Sequence, residues 1–177
     1  AINLGCSFVA RSFSGSKKQL KSLIKAAMSH KGFALIDIIS PCVTFNNNDE
    51  SLKSYGYVKD NNIELHVADY IPNREPMEEV EVPEGHYRDI TLHDGSVIRL
   101  ETISEEHDPT NAVAALSALH AADAESKHVT GLLYFDGTKP SLIEDLGLVE
   151  RALIDVPESE LRPSREILDK LNAAFLS

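Results

Sequence analysis

The most regular pattern of apolar and polar positions lies in the first forty residues. One helix face is apolar at five positions that follow successive helical turns: Leu20, Leu23, Ile24, Ala27 and Met28. Ser16 and Gln19 have the spacing of a capping box, so a helix is predicted to begin there and to end at Gly32. The segment 33–39 is nearly continuous in apolar residues, which predicts a strand covered on both faces. Helix, glycine and buried strand in this order favour a doubly wound α/β sheet.

The middle of the chain is polar and rich in turn residues. From 40 to about 85 we expect little regular structure except a short strand at 63–67. Residues 89–103 alternate around Asp94-Gly95, which predicts a hairpin. A two-residue loop would place Ile90 opposite Arg99. A three-residue loop would align Leu92 with Ile98 and Ile90 with Leu100, and it is favoured because it pairs apolar positions.

Three further elements are predicted in the last third. Asp108 can cap a helix that Pro109 opens, with an apolar face continuing through Ala112, Val113, Leu116 and Leu119. The segment 129–135 indicates a strand that ends at Asp136-Gly137. A closing helix is indicated by an apolar stripe near the end of the chain: Ile167, Leu168, Leu171, Ala174 and Phe175.

Size and charge narrow the possible classes of protein. The chain has 177 residues, enough for one ordinary domain, and a formal net charge of -11. That charge repels phosphate backbones and anionic lipids, so we expect neither a nucleic acid nor a membrane as partner. No apolar run approaches the roughly 20 residues of a membrane-spanning helix, and the first residues lack signal-peptide features. A cytoplasmic location is therefore expected.

The two cysteines require separate interpretations, because two thiols do not make the disulfide framework of a secreted domain. Cys42, in Ser40-Pro41-Cys42, follows the predicted buried strand at the edge where open α/β sheets bind ligands. It is either a ligand or reactive thiol, or a small buried side chain that only packs. Cys6 lies in an apolar stretch, which favours a packing role.

The remaining residues give no catalytic motif. None of the seven histidines pairs with another at zinc-site spacing, so surface or capping roles are expected. The acidic run around His107, residues 105–108, is typical of residues that compensate a helix dipole. Gly15-Ser16-Lys17 lacks the upstream glycine of a phosphate loop, and no nucleophile elbow or dinucleotide fingerprint occurs.

Three sequence blocks carry a family resemblance that the chemistry alone does not. They are 8–15 (FVARSFSG), 23–37 (LIKAAMSHKGFALID) and 40–46 (SPCVTFN). In this order and spacing they resemble the beta subunit of 2-oxoacid:ferredoxin oxidoreductases, close to the 2-oxoglutarate type. Segments between 93 and 140 are similar to the carboxyl-terminal region of that subunit, whereas 47–88 match in patches.

The resemblance implies an α/β fold, namely the carboxyl-terminal half of a thiamine-diphosphate-binding fold with an open, mostly parallel sheet, a loop-rich excursion and a hairpin. Residues 1–46 would form the second half of the thiamine-diphosphate-binding domain. Residues 47–177 would form the carboxyl-terminal region of the beta subunit. The implied reaction oxidatively decarboxylates a 2-oxoacid with coenzyme A, giving acyl-CoA, carbon dioxide and reduced ferredoxin.

In that family the cysteine of the Ser-Pro-Cys block is the fourth thiolate ligand of a cubane iron–sulfur cluster, so the resemblance implies this metal-ligand role for Cys42. Cys6 inherits no role. The three companion cysteines and the motif that binds Mg²⁺ and thiamine diphosphate do not occur in the sequence. The isolated chain is therefore expected to bind none of these cofactors and to be inactive alone.

The implied partners are the amino-terminal half of the beta subunit, the alpha subunit, ferredoxin, the 2-oxoacid and coenzyme A. An alternative from another class is a structural module at a subunit interface with no catalytic role of its own, for which the long loop-rich stretch 47–88 would be suited. The third hypothesis is an unrelated enzyme that shares only its α/β sheet with this family.

Overall fold

A computed structural model describes residues 1–73, 87–102 and 107–175 of the protein. The chain forms two compact units, 1–142 and 143–177. The domain boundary expected at residue 46 stays a prediction.

The described strands, in chain order, are β1 (Phe8–Phe13), β2 (Ala34–Ile39), β3 (Asn62–Glu64), β4 (His66–Ile71), β5 (Tyr87–Thr91), β6 (Val97–Thr102) and β7 (His128–Phe135). The described helices are α1 (Lys17–Ser29), α2 (Tyr55–Asp60), α3 (Ala112–Ala124), α4 (Leu142–Asp145), α5 (Glu158–Leu161) and α6 (Arg165–Phe175). A 3₁₀ turn, Leu153–Asp155, lies between α4 and α5.

Four of the described strands form a mixed sheet in the order β2-β1-β7-β3. The pairs β1/β2 and β3/β7 are parallel, whereas β1 and β7 are antiparallel, with a register shift between Val9 and Ala10. The predicted α/β class is confirmed. The mostly parallel sheet is borne out only in part, because the central pair runs antiparallel.

The hairpin between β5 and β6 belongs to a second, antiparallel sheet in the order β4-β6-β5. Ile90 lies opposite Ile98, and Leu92 N–H donates to the carbonyl oxygen of Ser96 at 2.8 Å. The loop therefore has three residues, as favoured from the sequence, but both predicted registers were wrong. The turn closes earlier because Asp94 accepts a hydrogen bond from Ser96 N–H at 2.9 Å, and Gly95 supplies the positive φ of +80°.

The larger core cluster lies where the two sheets and α1 meet. Phe8, Leu23, Ile98 and Leu132 are fully buried there. A second cluster, which includes Leu65, is formed mainly by residues of β1, β7 and α3. The mixed sheet therefore packs on both faces.

The buried face of α1 differs from the prediction. Leu23 is fully buried, but Ile24 is 39% exposed and Met28 is 82% exposed. The residues that face the core are Gln19, Ser22, Leu23 and Ala26. Gln19 occupies part of this face because its amide bonds to the sheet, whereas Ser22 Oγ donates to the Lys18 carbonyl oxygen within the helix. The apolar stripe is thereby displaced toward solvent.

The predicted capping box is also wrong, although α1 does begin after Ser16. The Ser16 side chain makes no capping hydrogen bond. Gln19 instead accepts from Ser12 Oγ at 2.8 Å and donates to Glu64 Oε1 at 2.7 Å. Its amide therefore joins α1 to β1 and β3.

Strand β2 is less covered than its sequence predicts. Its side chains alternate between half-buried and exposed positions, with Leu35 37% and Ile38 42% exposed. The prediction of a strand covered on both faces is wrong for the described residues, because β2 forms the edge of their sheet.

The segment 40–73 is more regular than predicted. It contains α2, β3 and β4, and the expected strand at 63–67 is divided between β3 and β4 at Leu65. The rest of the expected loop region, 74–85, lies outside the described residues.

Helix α3 begins three residues after the predicted start. Asn111, not Asp108, is its cap and accepts from Val113 N–H at 2.9 Å. Asp108 instead accepts from Thr110 N–H at 2.8 Å in the preceding turn. The predicted strand 129–135 and the closing helix are confirmed as β7 and α6.

Paired substitutions on α1 test its orientation. Leu23→Ala should lower the free energy of unfolding by about 2–5 kcal/mol, because it opens a cavity in the core. Met28→Ala should change it by less than about 0.5 kcal/mol, because that side chain is exposed. Urea unfolding of both variants measures the difference, and equal losses would contradict the observed helix face.

Candidate functional site

The first candidate site lies at the carboxyl edge of β1 and β2. These strands are parallel, with Phe13 opposite Ile39, so the segments that follow both strands leave from the same edge. Ser14 N–H donates to the carbonyl oxygen of Ile39 at 2.9 Å and joins the two exits. This edge is where open α/β sheets place ligands.

Cys42 lies three residues beyond β2, on a turn at this edge. Pro41 is buried, whereas the Cys42 thiol is exposed. Its carbonyl oxygen accepts from Phe45 N–H at 3.2 Å and from Asn46 N–H at 2.7 Å, which closes the turn. The alternative of a buried packing thiol is therefore wrong for Cys42.

The turn also favours the thiolate form of Cys42. The backbone N–H groups of Phe45 and then Thr44 lower the pKa of the Cys42 thiol, with a smaller contribution from the Thr44 side chain. Thiolate is the form that binds metals and acts as a nucleophile. Sequence reasoning found the residue but not these donors, which depend on how the turn folds.

The segment after Cys42 is tied back to the sheet through Tyr55. Asn47 Oδ1 accepts from Tyr55 N–H at 3.1 Å. The Tyr55 ring packs against Phe13 with centroids 5.2 Å apart, and its hydroxyl lies 3.3 Å from Ser14 Oγ. The end of β1 and the segment that carries Cys42 are therefore held together by one aromatic residue of α2.

A cavity of about 410 Å³ opens beside Tyr55. It is lined by Phe13, Gly15, Ser16, Tyr55, Val58, Lys59 and Asn62. Behind it, Gln19 and Asn62 both donate to Thr130 Oγ1, at 3.3 and 3.0 Å. The carboxyl edge thus combines a polar network with an exposed thiol.

Cys6 has the packing role expected for it. It is 4% exposed, and its thiol donates to the carbonyl oxygens of Phe8 and Phe33, both at 3.2 Å. Among the described residues, no three His, Cys, Asp or Glu side chains gather in a way that could hold a metal ion. Cys42 can therefore be at most one ligand of a site completed from elsewhere.

The histidines are the functional groups that sequence reasoning misjudged. His66, within β4, is only 3% exposed, so a surface or capping role is wrong for it. His30 is the C-cap residue of α1, as one of the two expected roles has it, but at 8% exposure it is not a surface residue. His107 Nε2 donates to the carbonyl oxygen of Leu132 at 3.2 Å. His107 is therefore tied to the middle of β7, and its neighbours Glu105 and Glu106 lie outside the described residues. Periodicity offered no signal for these roles.

Large apolar side chains are exposed near this edge. Val43 and Phe45, beside Cys42, are 71% and 77% exposed. Phe33, 68% exposed, precedes β2 and lies at the opposite end of the strand. Exposed contiguous apolar side chains commonly mark a surface that binds another protein. None of the described helices has the length and apolar character needed to cross a membrane.

The fold and the edge site together define an α/β chain with one accessible, activated thiol. Comparison with curated proteins gives a sharper likeness. Over 47 residues, the chain is 53% identical to a 2-oxoacid:ferredoxin oxidoreductase subunit beta from a Sulfolobus species and 49% identical to that of Saccharolobus solfataricus. Each match covers 27% of this chain and 15% of the relative. No protein-family profile matches the chain.

A solved structure supports the same likeness at the level of the fold. It is a 2-oxoglutarate:ferredoxin oxidoreductase from Magnetococcus marinus with 2-oxoglutarate, coenzyme A and succinyl-CoA bound. The TM-score is 0.50 at 24% identity, over 92% of this chain and 43% of that chain. The resemblance found from the sequence blocks, to the 2-oxoacid:ferredoxin oxidoreductase beta subunit, is thus confirmed.

The two cysteines should differ sharply in reactivity. Iodoacetamide should alkylate Cys42 and spare Cys6, because only Cys42 is exposed. The pH midpoint of Cys42 alkylation should lie below that of a free cysteine, because the turn lowers the pKa of the thiol. Peptide mass spectrometry across pH 6–10 measures both rates. Equal labelling of the two residues, or a midpoint at or above that of free cysteine, would contradict this geometry.

Proposed function

We propose that this chain is part of the beta subunit of an enzyme that oxidatively decarboxylates a 2-oxoacid with coenzyme A and reduces ferredoxin. The observation that carries the proposal is the exposed Cys42 on its turn at the carboxyl edge, within a chain that matches beta subunits at about 50% identity over 47 residues. The curated match spans 15% of each relative. We propose that this chain supplies part of the machinery and is inactive alone.

Cys42 is proposed as one thiolate ligand of an iron–sulfur cluster. Such clusters are held by four cysteine thiolates, and N–H groups directed at the sulfur stabilise them. The turn at 42–46 has both features, an accessible sulfur and the backbone donors of Thr44 and Phe45. The other thiolates come from outside this chain, because Cys6 is buried and bonded to backbone carbonyls.

Thiamine diphosphate and Mg²⁺ are proposed for the complete enzyme and not for this chain alone. When bound, thiamine diphosphate accepts the electron pair released as the 2-oxoacid loses carbon dioxide. In this proposal the described residues do not bind thiamine diphosphate or Mg²⁺; their contribution is to position Cys42. They place Cys42 at the sheet edge, and Asn47 and Tyr55 hold the following segment against the end of β1.

This chain therefore contributes to the reaction a cysteine whose thiol is readily deprotonated. The lowered pKa lets Cys42 lose its proton to solvent more readily than a free thiol when it binds metal. Apolar side chains beside it, including Val43 and Phe45, can exclude water from the cluster once partner surfaces cover them. Exclusion of water from the surroundings of a cluster shifts the reduction potential of the cluster and protects its sulfur atoms.

The test is the iron and labile sulfide content of the full-length beta chain purified without oxygen with its alpha partner. Cys42→Ala should lose the cluster and 2-oxoacid-dependent dye reduction together, because a cubane needs its fourth thiolate. Cys6→Ala is the matched control, since it removes a thiol that faces the core, and it should keep cluster and activity. An unchanged cluster in Cys42→Ala would contradict the proposed role of Cys42. The likeness to the family would then support a shared fold but not a shared function.

A second candidate function is a structural module at a subunit interface. The observation in its favour is apolar exposure in each of the two units. In unit 143–177, the stripe on α6 is exposed, with Ile167 and Leu171 each 51% and Phe175 89%. In unit 1–142, Phe33, just before β2, and Leu35, in β2, are exposed.

The hypothesis of a module at a subunit interface predicts that the beta chain binds the alpha subunit. Leu171→Asp should weaken binding of the beta chain to the alpha subunit by at least tenfold, because it places a charge in an apolar contact. Lys170→Asp, at an exposed position of the same helix, is the matched control and should bind nearly as wild type. Titration calorimetry measures both affinities. Wild-type binding by Leu171→Asp would remove α6 from the interface.

A further inference from the structure

The three-stranded sheet is joined to β7 by two imidazole rings at one backbone position. His66, in β4, accepts a hydrogen bond from Leu132 N–H on its Nε2 atom at 3.2 Å. His107 Nε2 donates to the carbonyl oxygen of the same residue at 3.2 Å. The two rings thus supply the donor and the acceptor that a neighbouring strand would supply, at a point of β7 beyond its pairing with β3.

The contact to His66 requires a neutral ring. Because Leu132 N–H donates to His66 Nε2, that nitrogen holds a lone pair and the proton of His66 is on Nδ1. His107 Nε2 donates to the carbonyl oxygen, so a neutral His107 ring has its lone pair on Nδ1. Both Nδ1 atoms are buried without a hydrogen-bond partner in the described structure. A second proton on His66 would point an N–H group at the N–H of Leu132.

The space for the His66 ring depends on Gly131. This glycine has φ +124°, and a Cβ atom built there would lie 2.6 Å from His66 Cε1 and 2.7 Å from Nδ1. The backbone of β7 therefore approaches the imidazole as closely as a residue without a side chain allows. This close contact between the two sheets therefore depends on glycine at position 131.

A second pair of histidines joins the other end of the same sheet to the segments that follow α1 and β7. His93, in the loop between β5 and β6, accepts from Lys31 N–H on Nδ1 and donates from Nε2 to the carbonyl oxygen of Gly137, both at 3.1 Å. Its ring lies 5.2 Å from that of His30, between centroids. His30 Nε2 is 2.7 Å from Ser7 Oγ, and its Nδ1 is buried without a partner.

His66, His107 and His30 are buried or half-buried, whereas His93 is exposed, and the charged groups around the first three rings do not offset their burial. Burial lowers the pKa of His66 to about 3, and it also lowers the pKa values of His107 and His30. Asp108, paired with Arg88, acts in the opposite direction on the pKa of His107.

Asp136 raises the pKa of His30 in part and is itself influenced by Lys139. Lys31 follows His30 directly, and Asp94 follows His93 in the hairpin loop. Glu105 and Glu106 lie outside the described residues. The net preference around His66, His107 and His30 is for the neutral form.

We propose that His66, His107 and His30 form a proton-sensitive latch that, together with the contacts of His93, holds the three-stranded sheet against β7 and α1. Neutral rings keep the latch closed, and protonation favours the undocked sheet. The direction follows from linkage, because a buried histidine that stays neutral stabilises the docked state above its unfolded value of 6.5, and that stability is lost as pH falls below it. His66 alone should shift the docking equilibrium about 30-fold toward release between pH 7.5 and pH 5.

Hydrogen exchange of the full chain tests the latch. At pH 5, after correction for intrinsic rates, the amides of β4 and β6 should lose at least about 30-fold of the protection they have at pH 7.5. The amides that pair β1 with β2 should lose much less. Uniform loss across both sheets, or no selective loss in β4 and β6, would overturn the proposal.

The double variant His66→Gln with His107→Gln separates the latch from general acid weakening. The glutamine oxygen can accept from Leu132 N–H and the glutamine amide can donate to its carbonyl oxygen, so the contacts persist without a titrating ring. The variant should keep protection in β4 and β6 at pH 5. His120→Gln, at an exposed histidine of α3, should behave as wild type. Acid loss of wild-type size in the double variant would overturn the latch.

Nitrogen-15 chemical shifts of the wild-type imidazoles provide a measurement that does not depend on the folding of any variant. His66 should show the tautomer protonated at Nδ1 and be still neutral at pH 6, and neutral His107 should show the tautomer protonated at Nε2. The opposite tautomers, or a charged His66 ring at pH 6, would also overturn the proposal.

Discussion

Strand β7 is the element on which the rest of the larger unit depends. It pairs antiparallel with β1 on one side and parallel with β3 on the other. Beyond β3, both backbone groups of Leu132 bond to imidazole rings instead of to a strand. A buried backbone donor or acceptor without a partner is costly, so the arrangement of His66 and His107 follows from where β3 ends.

The same requirement explains the polar residues of the core. Gln19 and Ser12 are buried between α1 and the sheet, and each is bonded, Gln19 also to Glu64 and Thr130. Buried polar groups of this kind stabilise only when their partners are present. The network fixes how α1 lies on the sheet and carries the apolar face of the helix partly away from the core.

At the sheet edge that bears Cys42, packing fixes the position of the turn, but the side chains of the turn are exposed. Pro41 is buried and Tyr55 holds the following segment, so the position of the turn is determined by the sheet. The thiol itself and its neighbours Val43 and Phe45 are exposed. That combination suits a ligand that a larger assembly completes, which agrees with the likeness to a beta subunit of which this chain matches a part.

The sequence by itself determined the local elements and the place of the thiol. The period of 3.6 predicted α1, apolar runs predicted β2 and β7, and the order of strand and Ser-Pro-Cys placed Cys42 at the carboxyl edge. These are local properties, because they depend on residues close together in the chain.

Only the tertiary structure decided which face of α1 is buried, the register of the hairpin and the roles of His30, His66 and His107. Each depends on a partner distant in sequence: Glu64 for Gln19, Leu132 for His66, Ser7 for His30. A single polar residue has no period, so its bonding partner is set by the packing of strands and helices and not by its own neighbours in the chain.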